Sequence, residues 1–387
     1  MTPSMDRRRF AAGLALAPVA ATSGLIAGCG KVPDTLKIGV AQPLSGPLAA
    51  LGQDLLNGVM LAVDELNKAG YAADGKRVKL EVVSQDDRSD AASGRAAAQQ
   101  LVEAGVVAVI GHLNSGVSIE AAPIYAAKGI AQMAISTNPR FTQLGLPTTL
   151  RLVANDTLQA RAIGSFAATQ LNAGSYAVVD DGSPYGKGLA DGAAKELEAA
   201  KRAITVRQSF DDKTVAFAEL AGKMKAAKVE VVVCMLNDFQ ALALLDELNK
   251  IGHTRVALLG GDLVKTSDMA KGMGKVDAIY ATSPVLEAGE FTTGRQFLDK
   301  YSAAFRKPPA YGGHYTYDAM YVLSAAIQQA KSGDPKDVTR ALRAINGYAP
   351  VTGTMTWDDK GEQRYGAVGV YVLRKGLWEL RMRSDRW

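Results

Sequence analysis

Hydroxyl, amide and carboxylate side chains collect at four places where an apolar run ends: Asn114 with Ser115, Ser136 with Thr137, Asn237 with Asp238, and Asp262. Groups of these types hold a polar guest well, but they do not by themselves break bonds. No Gly-x-Ser-x-Gly elbow accompanies the serines, and no Ser, His and Asp follow one another in a workable order. His112, His253 and His314 share no metal-ligand spacing, so no metal is expected. The Asp pairs at 86–87, 180–181, 211–212 and 358–359 fall at segment ends, where turns and caps use them. Gly186-Lys187-Gly188 after an apolar run imitates a dinucleotide loop, yet the third glycine is missing and Asp191 would repel a pyrophosphate. No cofactor is expected. The chemistry these residues suit is reversible capture of a small polar molecule. A secreted α/β hydrolase is the enzymatic alternative.

Those four places must be brought together by the elements before them. Apolar runs of strand length and helical patterns alternate: strand 36–41, a helix with Leu55, Val59, Ala62, Val63 and Leu66 on one face, strand 78–83, and a helix capped by Asp90. Strand 106–110, helix 117–128 and strand 130–135 follow. The rhythm resumes with helix 156–171, strand 176–179, helix 187–200, strand 203–209, helix 214–227, strand 229–236, helix 239–250 and strand 255–259. Repeated βα units with short connections predict parallel sheets covered by helices on both faces. The halves echo each other, since 107–114 and 231–237 both end an apolar strand at Leu-Asn. Such sheets bind ligands at the carboxyl ends of their strands. Two lobes facing each other would set all four polar places on one cleft. Residues 285–387 break the rhythm, with helices predicted at 294–305, 315–330 and 335–345 and strands at 355–357 and 368–373.

The ends of the chain and its composition speak to location. Arg7-Arg8-Arg9-Phe10, an apolar segment and Ile26-Ala27-Gly28-Cys29 read as an export signal over residues 1–28. Arg-Arg-x-Phe resembles the twin-arginine motif, and Ile-Ala-Gly-Cys resembles a bacterial lipobox, which implies cleavage before Cys29 and lipid on that cysteine. The protein is expected in the periplasm or cell envelope, touching membrane only through that lipid. Loss of Asp6, Arg7, Arg8 and Arg9 lowers the formal charge from +5 to +3, too mild for a nucleic-acid partner. Cys234, the other cysteine, sits in an apolar run and reads as an inert core thiol.

Four motifs stand in order along residues 35–373: Gln42-Pro43-Leu44-Ser45-Gly46-Pro47, Gly111-His112, Tyr185-Gly186-Lys187-Gly188-Leu189-Ala190 and Thr356-Trp357-Asp358-Asp359-Lys360-Gly361. Together they resemble the branched-chain amino-acid binding proteins of ABC importers. The resemblance implies an α/β fold of two Rossmann-like lobes joined by three hinge crossings, the type I periplasmic-binding-protein fold. The lobes would be 34–155 with 285–364, and 156–284 with 365–387. It implies a non-enzymatic monomer that captures an amino acid or close analogue and delivers it to an ABC permease. A ligand sensor of the same fold, without a transport partner, is the alternative. Carried over residue by residue, Ser115, Gly116, Ile135, Ser136 and Thr137 would take the ligand's carboxylate, and free N–H groups at a helix N-terminus suit that anion. Asp262 would take the ammonium, or serve only as a turn residue. Tyr185 would line the cleft or play a structural part. The chain departs from the family at Leu51 and Asn237, where tyrosine is frequent, and at Asp262 in place of Glu. Ser89 and Asn114 stand where some members have a disulfide. A cleft with fewer aromatic walls and an added amide points away from leucine itself.

Overall fold

Strands buried on both faces need unbroken apolar runs, and two such runs become central strands, Ala108–Gly111 and Val231–Met235. The computed structural model describes residues 32–272 and 274–386, so the proposed leader and Cys29 lie outside the described residues. The first sheet has five parallel strands in the order Lys79–Asp86, Thr35–Gln42, Ala108–Gly111, Ala131–Ala134, Thr149–Arg151. The second has seven, in the order Leu377–Arg383, Gly369–Arg374, Ala278–Ser283, Ala257–Gly260, Val231–Met235, Tyr176–Asp180, Ile204–Ser209. Five of these are parallel, and the first two add antiparallel at one edge.

Several helices start where the sequence offers caps. Asp90 accepts from the Ser93 N–H at 2.7 Å, and Asn155 accepts from the Thr157 N–H at 3.0 Å, opening helix Asp156–Phe166. That helix runs on through a π turn, Ala167–Leu171, and stops at Asn172 with a left-handed backbone of φ 44°. Phe217 opens helix Ala218–Ala226, later than the expected 214, because 211–214 forms a turn held by the Thr214 N–H on the Asp211 carbonyl.

Residues 294–355 return to the first sheet. Helix Gly313–Ala330 packs on helix Ala49–Lys68 at a close crossing, where a Cβ on Gly58 would stand 1.9 Å from the Gly313 carbonyl oxygen. The buried Asp54 carboxylate ties this packing down, accepting from the Tyr301 hydroxyl at 2.6 Å and from the Tyr311 and Gly313 N–H groups. The chain therefore passes between the two sheets three times, within 152–175, 284–293 and 356–368. One apolar core cluster runs through both halves, from Leu36 and Ile38 to Tyr176 and Val178. Cys234 is fully buried, free, and pushed up to about 12 by that burial, the state of an inert thiol.

Candidate functional site

The carboxyl ends of both sets of parallel strands border one cavity of about 530 Å³. Ser115, Gly116, Ile135, Ser136 and Thr137 line it from the first sheet, and Tyr185, Asn237 and Asp262 from the second. All eight residues named from the sequence are thus brought together. Two other expectations are corrected. Asp238 does not line the cavity, because its carboxylate turns to the Thr266 hydroxyl at 2.8 Å and its own helix start. Leu51 points into the core, and its place on the wall is taken by Pro47 and Leu48. A second cavity of about 440 Å³, at the chain crossings, includes none of the eight.

On the first wall, helix Ser115–Ala126 begins at the strand end. No acidic side chain occupies its first turn, so its N–H groups face the cavity without a built-in anion. Ser115 Oγ accepts from the Asn138 N–H at 3.2 Å, which draws the 136–138 segment to the helix end. Behind that segment lies Arg151, fully buried and paired with Glu362 at 2.8 Å. Its guanidinium donates to the Ser136 carbonyl, and at 2.9 Å to the Asn138 carbonyl. Ser136 Oγ is buried and has no hydrogen-bond partner. The wall is open to an acceptor-rich group such as a carboxylate.

The second wall is built around Asp262, which is only 3% exposed. Tyr185 donates to Oδ1 at 2.8 Å and Gln159 at 3.1 Å, while Tyr311 donates to Oδ2 at 2.7 Å. Burial, together with the Asp262 charge, holds both phenols far above their usual range, so they remain donors. Gly261 makes room for this: a Cβ there would lie 2.2 Å from the Tyr185 hydroxyl. Three donors leave about one of the carboxylate's four lone-pair directions for a guest. Nearby, the fully buried Asp156 has no normal hydrogen-bond partner for either oxygen, with the Thr137 hydroxyl as its polar neighbour. Burial first, and the Asp262 charge second, push Asp156 up to about 8, so it is mostly protonated at neutral pH.

Gln159, Asp156, Arg151 and Tyr311 were missed in the sequence. Nothing in their neighbours marks them, since tertiary crossings bring them to the site; Tyr311, just beyond Lys307-Pro308-Pro309, sits at the break in the helical pattern. His112 is buried between Asp87 at 2.7 Å and Tyr125 at 3.2 Å, and orders the loop from behind the wall. Among the described residues, no group of His, Cys, Asp or Glu could hold a metal, and no helix is long and apolar enough to cross a membrane. Gly186 lies in the first turn of helix Pro184–Ala199, capped by Ser183, whose Oγ accepts the Gly186 N–H at 3.0 Å.

Comparison with known proteins gives the same fold and a family. A family model described as periplasmic binding protein matches residues 35–376. A Leu/Ile/Val-binding protein homolog 1 from Brucella melitensis biotype 1 is 30% identical over 380 residues, covering 96% of this chain and 97% of its own length. The crystal structure of the branched-chain amino acid transporter substrate-binding protein LivJ from Streptococcus pneumoniae, in complex with isoleucine, superposes with TM-score 0.78 at 25% identity. It covers 90% of this chain and 98% of that one. The leucine-binding protein LivK from Thermotoga maritima gives TM-score 0.80 at 22% identity, with 90% and 98% covered. The chain belongs to the periplasmic binding protein family, in its branched-chain amino-acid binding group.

Proposed function

We propose that this periplasmic binding protein closes two lobes around the two charged ends of an α-amino acid or close analogue and presents it to an ABC permease. The observation that carries the reading is the polarity of one cavity. A helix N-terminus without an acidic first turn faces it from the first sheet, and a buried carboxylate gripped by three donors faces it from the second. A zwitterion fits such a cavity one way round. Its carboxylate meets Ser115, Gly116, Thr137 and the 135–136 backbone. Its ammonium takes the remaining acceptor direction on Asp262, while Tyr185 holds the carboxylate group still.

The lobes are 34–155 with 285–364 and 156–284 with 365–387, and closure is a hinge motion about the three crossings. Hydrogen bonds already bridge the lobes, among them those from Tyr311 to Asp262 at 2.7 Å and from Asn138 to the Pro184 carbonyl. The protein acts without catalysis, as a monomer exported to the periplasm and anchored by lipid on Cys29. Mass spectrometry of whatever copurifies, followed by calorimetry with that compound, tests the reading. Binding of an amino acid without turnover supports it; chemical conversion of the compound, or failure of every α-amino acid to bind, overturns it.

A further inference from the structure

Asn237 opens helix Asp238–Lys250 and lines the cavity while only 7% exposed. Its amide nitrogen donates to Asp181 Oδ2 at 3.1 Å and to Gln240 Oε1 at 3.3 Å, so both N–H groups are used. A carboxylate accepting from that nitrogen fixes which way the amide points, because the reverse would set two oxygens together. The carbonyl oxygen Oδ1 is left buried and without a hydrogen bond of normal geometry, although the Gln240 N–H stands in the position of a capping box. Asn114 repeats the pattern on the facing wall. It precedes helix Ser115–Ala126, makes no capping bond, and has a buried, unpartnered Oδ1 on the same cavity. Buried acceptors of this kind call for a donor from whatever fills the space.

The surroundings say what kind of donor. Asp181 is already satisfied by the Ser183 N–H, the Ser183 hydroxyl and Asn237. Lys213 follows Asp212 on the turn that Gln240 holds, and Arg88 on the opposite wall stands 3.9 Å from Asp86. Those donors to Asp181 are all neutral, and the acceptor left open beside it is the uncharged Asn237 carbonyl. Leu48, Leu113 and Phe239 supply apolar surface on the same lining. Resting on the amino-acid reading above, we propose that the ligand's side chain is an apolar stem ending in a neutral N–H donor, the carboxamide class, which Asn237 Oδ1 accepts.

The test is calorimetry on the mature chain with L-asparagine, L-glutamine, L-leucine and L-lysine. Asparagine and leucine are nearly equal in shape, so their ratio isolates the polar tip. The better amide is expected to bind at least tenfold more tightly than leucine, because a site built for a polar partner rejects the analogue lacking it. It should also exceed lysine. A ratio below tenfold, or lysine bound more tightly, overturns the carboxamide assignment and leaves the two-ended site standing. Failure of all four to bind overturns the carboxamide assignment, and the two-ended site falls as well only if every other α-amino acid fails to bind. Asn237→Leu should cut the amide-to-leucine ratio at least tenfold, with a circular-dichroism melt showing that the variant folds. An unchanged ratio in the folded variant would overturn the role of Asn237, and the wild-type ranking stands as a test should the variant not fold.

Discussion

The two walls of the cavity are prepared in opposite ways. The first offers donors that nothing yet uses: helix N–H groups, the Ser136 hydroxyl without a partner, and a backbone held in place by the buried Arg151. The second offers a charge that is already nearly spent, with Tyr185, Gln159 and Tyr311 on Asp262. The difference teaches that the walls contribute differently to binding. Removing one donor from a set of backbone donors weakens the first wall by a fraction. Removing the carboxylate from the second strips the buried Tyr185 and Tyr311 hydroxyls of their acceptor as well as the ligand of its counter-ion.

That contrast can be broken in four places. The largest effect is expected for Asp262→Ala, where the loss of a buried charge partner costs about 2–5 kcal/mol. Calorimetry should show amino-acid affinity falling by roughly 30-fold or more; a change within threefold would refute the counter-ion role.

Gly261→Ala tests the grip on that carboxylate without touching the charge. The added methyl must move the Tyr185 hydroxyl, which lies 2.2 Å from where it would sit. Overpacking of this kind costs about 1–3 kcal/mol, and affinity should fall about tenfold; a fully stable variant with unaltered binding would show that Tyr185 is not needed there.

Asp156→Asn sharpens the comparison by removing the second carboxyl. A carboxyl group whose folded value is raised to about 8 from 3.8 binds protons in the native state that the unfolded chain has released. Stability therefore falls as pH rises through that window. The asparagine variant, lacking this loss, should exceed the parent by about 1–3 kcal/mol at pH 8 and match it near pH 4 in denaturant melts. Parallel pH profiles would deny the shift.

The smallest effect belongs to the first wall. Ser115→Ala leaves the helix N–H groups in place and should weaken binding only three- to tenfold, about 1 kcal/mol for one hydrogen bond. A loss as large as that of Asp262→Ala would erase the asymmetry.

Much of this arrangement was legible in the residues. Buried parallel strands are continuous apolar runs, so 106–110 and 229–236 announced themselves, and Asp90 marked the start of the helix between strands. The strands that escaped are of other kinds. Thr149–Arg151 is three residues long, and Leu377–Arg383 is an edge strand whose Leu377 is 69% exposed, so neither has a hydrophobic signature. Ala278–Ser283, AIYATS in sequence, mixes polar residues into a buried strand because its Thr282 and Ser283 hydroxyls are satisfied locally, Thr282 by Gln159 and Ser283 by Val285. At the site, strand ends could be found because the repeat places them. The groups that hold Asp262 could not, since Gln159 and Tyr311 arrive from 103 and 49 residues away along the chain. Leu48 replaced Leu51 on the wall because the helix begins at Ala49, and its rotation sends Leu51 inward.

The most direct measurement is a crystal structure with the copurified or best-binding amino acid in place. The account predicts the ligand carboxylate within hydrogen-bond distance of Ser115 and Thr137, and its ammonium on Asp262 between Tyr185 and Tyr311. A ligand lying the other way round, or seated in the cavity at the chain crossings, would contradict it.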